Sequence, residues 1–241
     1  MKHLLKKPDS RGMLALIAAF AINALAYWGG RALSFFRPHG SFACFLDDRI
    51  PLVPWTIVVY FGSFLFWAVN FWIAAGLPDE QRDRFFCAQA MAEIVCLICF
   101  IAFPTTLNRP EVRGNSLWEK IIRLLYGMDS ADNLFPSIHC LLSWLSWIAV
   151  RKRREIPLGY RCFSLIMAVA VCISTLTTRQ HVVADVPAGI LLAEVTYALA
   201  KKDTIRRGYT RWMAQLEQTS FWNRICQKSL AEFAARRRQI K

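Results

Sequence analysis

The sequence predicts an all-α polytopic membrane protein, a bundle of six transmembrane helices. Three observations predict it. Of the 241 residues, 55% are hydrophobic and nine are tryptophan, and long apolar runs are commoner than in a soluble domain of this size. Several runs approach the ~20 apolar residues that a helix needs to cross a bilayer. The 30 Lys and Arg residues fall between and beyond the apolar runs, the charge pattern of membrane topology. That distribution argues against a nucleic-acid partner, although the formal charge is +13.

A basic N-terminus, residues 1–12, precedes the six-helix domain at 13–200. The first span runs from Met13 to about Phe36. Ala24-Leu25-Ala26 imitates a signal-peptidase site, but the apolar run continues past it through Tyr27 and Trp28, as an uncleaved helix would. A polar loop, 37–51, carries Asp47, Asp48 and Arg49. The second span covers about Pro54 to Ala75, the third about Phe85 to Phe103, and Pro104 stops the latter. In the long loop that follows, Ser116 to Met128 places Leu117, Trp118, Ile121, Ile122, Leu124 and Leu125 at helical spacing, which predicts an interfacial helix. The fourth span, Leu134 to Val150, is short and ends on Arg151 to Arg154, whose stems suit the membrane surface. The fifth is about Phe163 to Leu176, extended by neighbours on either side, and the sixth about His181 to Ala200.

The tail, 201–241, is basic and amphipathic, with Trp212, Leu216, Trp222, Ile225, Leu230 and Phe233 on one broad face. It fits a helix held to the inner leaflet by anionic lipid. A helix packed on the domain fits the same pattern. Six spans place both termini on one side. That side holds every Lys and Arg except Arg31, Arg37, Arg49, Arg109, Arg113, Lys120, Arg123 and Arg179. The positive-inside rule puts it in the cytoplasm. Cys87, Cys96, Cys99, Cys140, Cys162 and Cys172 lie in or beside apolar runs and read as core-filling thiols, with no zinc-site spacing.

Three polar clusters then share the outer side. They are Asn108-Arg109-Pro110, Asn133-Leu134-Phe135-Pro136-Ser137-Ile138-His139, and Arg179 to Asp185. Ionisable groups at membrane depth are costly and point to function. His181 and Asp185, four residues apart, share a face if helical, so the carboxylate would hold one imidazole nitrogen and leave the other free. A helix-end cap would use the same pair. Pro136-Ser137 suits a helix start, and unpaired first-turn N–H groups attract anions. Arg109 and Arg179 can fork onto phosphate oxygens. Together these residues fit a phosphoryl group better than an acyl group. Asp47 and Asp48 could contact a polar head group, or cap the second span or pair with Arg49.

The chain resembles the type 2 phosphatidic-acid phosphatase superfamily, whose fold is shared with vanadium haloperoxidases. That family carries Lys-(six residues)-Arg-Pro, Pro-Ser-Gly-His, and Ser-Arg-(five residues)-His-(three residues)-Asp. Arg109-Pro110 matches the end of the first, Pro136-Ser137-Ile138-His139 the second with isoleucine for glycine, and Ser174, His181 and Asp185 the third. The first motif's lysine falls at Ala102 and the third motif's arginine at Thr175, with Arg179 one helical turn on as its replacement. These departures, with Asp47 to Pro51, look like the branch of inositol-phosphorylceramide-synthase-like and related bacterial proteins.

The resemblance implies a lipid phosphatase of an inner or plasma membrane, working on the extracytoplasmic face without metal or cofactor. His181 would form a phosphohistidine, Asp185 would hold its tautomer, and His139 would be the acid and base. Arg109, Arg179, Ser137 and the backbone at Ile138 would bind the phosphate oxygens. The substrate would be a membrane lipid phosphate, hydrolysed at a phosphomonoester or pyrophosphate. A phosphotransferase moving a phospho-head group to a lipid alcohol is the alternative, and a non-catalytic lipid-binding or transport protein the alternative of another class. A metal at His181 and Asp185 fits less well, because neighbouring arginines would repel a cation. No Gly-x-Ser-x-Gly serine is present for an intramembrane hydrolase.

Overall fold

The computed structural model describes residues 7–219. Every regular element among them is a helix. In chain order they are α1 (Ser10–Ser34), α2 (Phe45–Arg49), α3 (Pro54–Ala75), α4 (Asp79–Ala102), α5 (Leu117–Met128), α6 (Ile138–Val150), α7 (Leu158–Thr177), α8 (Asp185–Leu199) and α9 (Asp203–Glu217). Four of them, α1, α3, α4 and α7, are long and apolar enough to cross a membrane. α6 has 13 residues and α8 has 15, short of the ~20 that a full crossing takes.

Local chemistry sets the ends. Asp9 caps α1 by accepting from the Gly12 N–H at 2.7 Å. Ser116 and Glu119 form a reciprocal capping box at the start of α5. α4 begins six residues before the apolar run, because Pro78 ends the preceding turn and Asp79 and Glu80 favour a helix N-terminus. α7 likewise begins at Leu158 behind Pro157, ahead of the expected Phe163. The expected start of the sixth span at His181 is corrected to Asp185, because a turn intervenes.

The bundle has two distinct ends. At one, the Val53 N–H donates to the Thr177 carbonyl at 2.9 Å, Gly40 and Thr105 and likewise Thr106 and Asp132 pair as isolated bridges, and the Leu134 N–H donates to the Thr105 hydroxyl at 3.1 Å. The loops before α3, before α6 and after α7 therefore meet there. At the other, Arg82 is buried between Asp9 and Asp79, and Asp83 accepts from Thr210 of α9 at 2.7 Å. Met213 of α9 is buried in the main core. The described part of the tail thus packs on the bundle, while Trp222, Ile225, Leu230 and Phe233 lie outside the described residues.

The main core packs Phe71, Phe85, Phe86 and Phe100 against Leu141 and Leu145. A smaller cluster of Ile57, Tyr60, Val112, Ile122 and Leu125 seats α5 beside α3. Leu65, Ile98, Ile166 and Leu191 point outward from four of the helices. Exposed apolar side chains on so many helices suit a lipid surround rather than water.

Candidate active site

The site begins at two adjoining helix starts. Ser137 caps α6, its Oγ accepting from the Cys140 N–H at 3.3 Å, and its own N–H donates to the Asp185 carbonyl at 3.3 Å. Gly189 of α8 lies so close that a Cβ there would stand 2.6 Å from the Ser137 carbonyl oxygen. Only glycine permits that approach, which brings the first turns of α6 and α8 together.

His139, the second residue of α6, lies in an aromatic slot. Its ring stacks on Tyr60 with centroids 4.4 Å apart, and Trp67 and Phe64 flank it at 5.2 and 6.0 Å. Its Nε2 is buried without a partner.

The turn after α7 presents the second histidine. The Gln180 and His181 N–H groups both donate to the Thr175 carbonyl, at 2.9 and 3.1 Å. Arg179 takes a left-handed conformation, φ 54°, to make that turn. His181 therefore precedes the helix. The expectation that it shares a helical face with Asp185 is corrected, yet the pair still forms, because Asp185 opens α8 and reaches back. Its Oδ2 accepts from the Val182 N–H at 3.0 Å and lies 3.1 Å from His181 Nδ1. A carboxylate there holds the proton on Nδ1 and leaves Nε2 as the free nitrogen. Burial opposes a charged ring, but the Asp185 hydrogen bond and charge outweigh it and hold His181 above the usual histidine range. The two histidine rings stand 5.9 Å apart.

Both histidines line a cavity of about 530 Å³. Arg109 also lines it, its guanidinium 4.7 Å over the Tyr126 ring and donating to the Gln180 Oε1 at 2.7 Å and to the Asp129 carbonyl. Tyr126 donates in turn to the Thr178 carbonyl at 2.9 Å, and burial pushes its phenol up to about 12, so it remains a donor. Aromatic side chains of α1 and α3 also line the cavity. Among them Phe20, Trp28, Phe61 and Phe64 are exposed on the outside of the bundle.

Ile138 lines the cavity, whereas Ser137 is fully buried in its capping role. Arg179 does not line it. Its guanidinium donates to the Asp47 carbonyl at 2.7 Å and to the Ile50 carbonyl. Arg179 also lies beyond the end of α7 and cannot share a helical face with Thr175, which is a correction to that expectation. Asp47 neither caps α3 nor pairs with Arg49. Its oxygens accept from the Val183 N–H at 2.7 Å and the Cys44 N–H at 2.8 Å, so it fastens the histidine turn to α2. Asp48 is exposed and outside the cavity.

Asp129, Asp132, Asn133 and Gln180 also line the cavity. Asn133 and Gln180 fell inside the polar clusters without a role of their own, and Asp129 and Asp132 were not singled out. The signal available was position, Gln180 beside His181 and the others just ahead of Pro136. Among the described residues, no three His, Cys, Asp or Glu groups gather as a metal cage. No protein-family model, curated protein or solved structure matches the chain.

Proposed function

We propose that this chain is an integral membrane enzyme that removes or transfers the phosphoryl group of a lipid phosphate through a phosphohistidine. One observation carries the reading. Two histidines in opposite environments face one cavity, one held by a buried carboxylate and the other in an apolar slot, with an arginine beside them.

His181 Nε2 attacks phosphorus along the line of the leaving oxygen. Asp185 keeps the other nitrogen protonated and stabilises the positive ring that forms. His139 gives its proton to the leaving alkoxide, then takes one from the incoming water or alcohol. Arg109, the Gln180 amide N–H and the first-turn N–H groups of α6 meet the equatorial oxygens. Ser137 and Arg179 position the site, Ser137 by joining α6 to α8 and Arg179 by fastening the turn to α2. The exposed aromatics between α1 and α3 let the lipid tail enter sideways.

The six-helix reading uses α6 and α8 as two short crossings. The basic residues then put both termini in the cytoplasm and the cavity on the outer face. The basic tail meets anionic lipid of the inner leaflet. A cysteine placed at Asn115 reacts with a membrane-impermeant reagent in intact cells, and one at Glu155 does not. The reverse labelling would sink this orientation.

The function itself is tested by assaying purified protein in nanodiscs on a panel of lipid phosphates and following acid-labile phosphoenzyme. Turnover that survives chelators and is blocked by orthovanadate is the expected result. Lipid retention with no turnover would instead favour a binding or transport protein.

A further inference from the structure

We infer that the cavity also receives a donor-bearing polar head group, a polyol or an ammonium, held beside the phosphorus by Asp129, Asp132 and Asn133. This rests on the phosphoryl-transfer reading and narrows its substrate to a phosphodiester lipid.

The cavity's polar atoms divide into donors and acceptors. On the donor side, Gln180 is 2% exposed, and its Oε1 is fixed as the acceptor by Arg109, which can only donate. Its Nε2 is therefore a donor, buried and without a partner. Arg109 Nε is also buried and unpartnered. These groups suit phosphate oxygens.

The acceptor side has the opposite character. Asn133 is 4% exposed, and its Nδ2 donates to the Tyr27 carbonyl at 3.0 Å. That bond fixes its Oδ1 as an acceptor, which is buried and unpartnered. Asp132 Oδ1 is buried and unpartnered as well, while its Oδ2 pairs with Arg31 at 3.3 Å. Among the described residues, the Asp129 carboxylate accepts only from the Tyr27 hydroxyl, on one oxygen. Buried acceptors without donors are costly, so a ligand that supplies donors would be favoured there.

Charge supports the same conclusion. Asp132 pairs with Arg31, whereas Arg109 donates to the Asp129 backbone carbonyl and not to its carboxylate. A lipid phosphomonoester would bring up to two negative charges beside these carboxylates and no head group to supply donors. A phosphodiester adds one, and its head group brings hydroxyl or ammonium donors to the carboxylates. In the reaction, the His181 Nε2–P bond forms as one P–O ester bond breaks. The departing alkoxide takes the His139 proton, and the acceptor hydroxyl returns a proton to His139 as it attacks the phosphohistidine.

The test compares four lipids of equal acyl chains in nanodiscs: phosphatidic acid, phosphatidylglycerol, phosphatidylinositol and phosphatidylethanolamine. One of the three diesters should exceed phosphatidic acid in kcat/KM, and which one separates polyol from ammonium. Asp132→Asn should cut that advantage by about ten- to a hundred-fold, as expected for unpairing a buried polar contact. It should change the phosphatidic-acid rate far less, and Asp132→Glu should recover part. Asp129→Asn, which keeps an oxygen for Tyr27, should act in the same direction if Asp132→Asn does not fold. Phosphatidic acid as the best substrate, or an unchanged diester advantage in both folded variants, overturns the inference and leaves phosphoryl transfer standing. Turnover of none of the four overturns both.

Discussion

The two histidine regions are built on opposite principles. His139 belongs to a helix and sits among Tyr60, Phe64 and Trp67 with no polar partner on its Nε2. His181 belongs to a turn and is held by the fully buried Asp185. A ring without a partner is tied to neither tautomer, which suits the proton carrier proposed for His139. A ring held by a carboxylate is fixed in one tautomer and keeps one nitrogen aimed at the cavity. The difference teaches that the two roles proposed for these rings would be set by surroundings, since the side chains are the same.

The largest effect expected is from the held ring. His181→Ala should remove the phosphoenzyme and nearly all turnover, with melting behaviour near that of the parent. A few per cent of residual activity would rule out a phosphohistidine here. Asp185→Asn comes next, lowering kcat by up to ~10,000-fold through loss of the tautomer. Its pH profile separates a role in tautomer control from one in folding. In the parent, the acid limb of kcat/KM reports His181 losing its proton and should lie above the usual histidine range. Without the carboxylate that raises it, the limb should move to lower pH. A limb that stays in place would assign it to another group.

The free ring gives a smaller and conditional loss. His139→Ala should cost ~100- to 10,000-fold on a lipid phosphodiester, the range for general acid–base catalysis. With a lipid ester of a nitrophenol, whose leaving group needs no proton, the loss in the phosphoenzyme-forming step should largely vanish. A burst of nitrophenol followed by slow turnover is the expected record. Equal losses on both substrates would make His139 a structural residue.

Much of this arrangement was legible in the sequence. The apolar runs located the helices, and the helical spacing of Leu117 to Leu125 announced α5. Where boundaries moved, polar caps had extended a helix beyond its apolar stretch, as at Asp79. His139, His181, Asp185 and Arg109 were visible because ionisable residues stand out in apolar sequence. Their surroundings were not, since Tyr60 and Trp67 look like any other aromatic of a membrane helix. Asn133 and Gln180 show their importance only through which of their atoms have partners. Arg179 misled for a physical reason. Residue spacing places it one turn past Thr175 only if the helix continues, and the helix ends at Thr177.

Arg179 also gives the smallest effect and the closest test of the comparison, because it supports the held ring without touching the cavity. Its guanidinium gathers the carbonyls of Asp47 and Ile50, and Asp47 in turn accepts from the Val183 N–H two residues beyond His181. Arg179→Gln should lose ~1.5–3 kcal/mol of stability, the contribution of hydrogen bonds from a charged donor. It should lower kcat less than tenfold, through a looser turn. Arg109→Ala, by contrast, should cost ~100- to 1,000-fold in kcat as a group acting on the developing charge. Moving the arginine by adding Thr175→Arg should rescue nothing, because Thr175 is fully buried and its hydroxyl donates to the Cys172 carbonyl at 2.7 Å. A loss in Arg179→Gln as large as in Arg109→Ala, at unchanged melting temperature, would return Arg179 to the phosphate. The guanidinium would then have to leave the two carbonyls when substrate binds, and the turn that carries His181 would be a moving part rather than a fixed one.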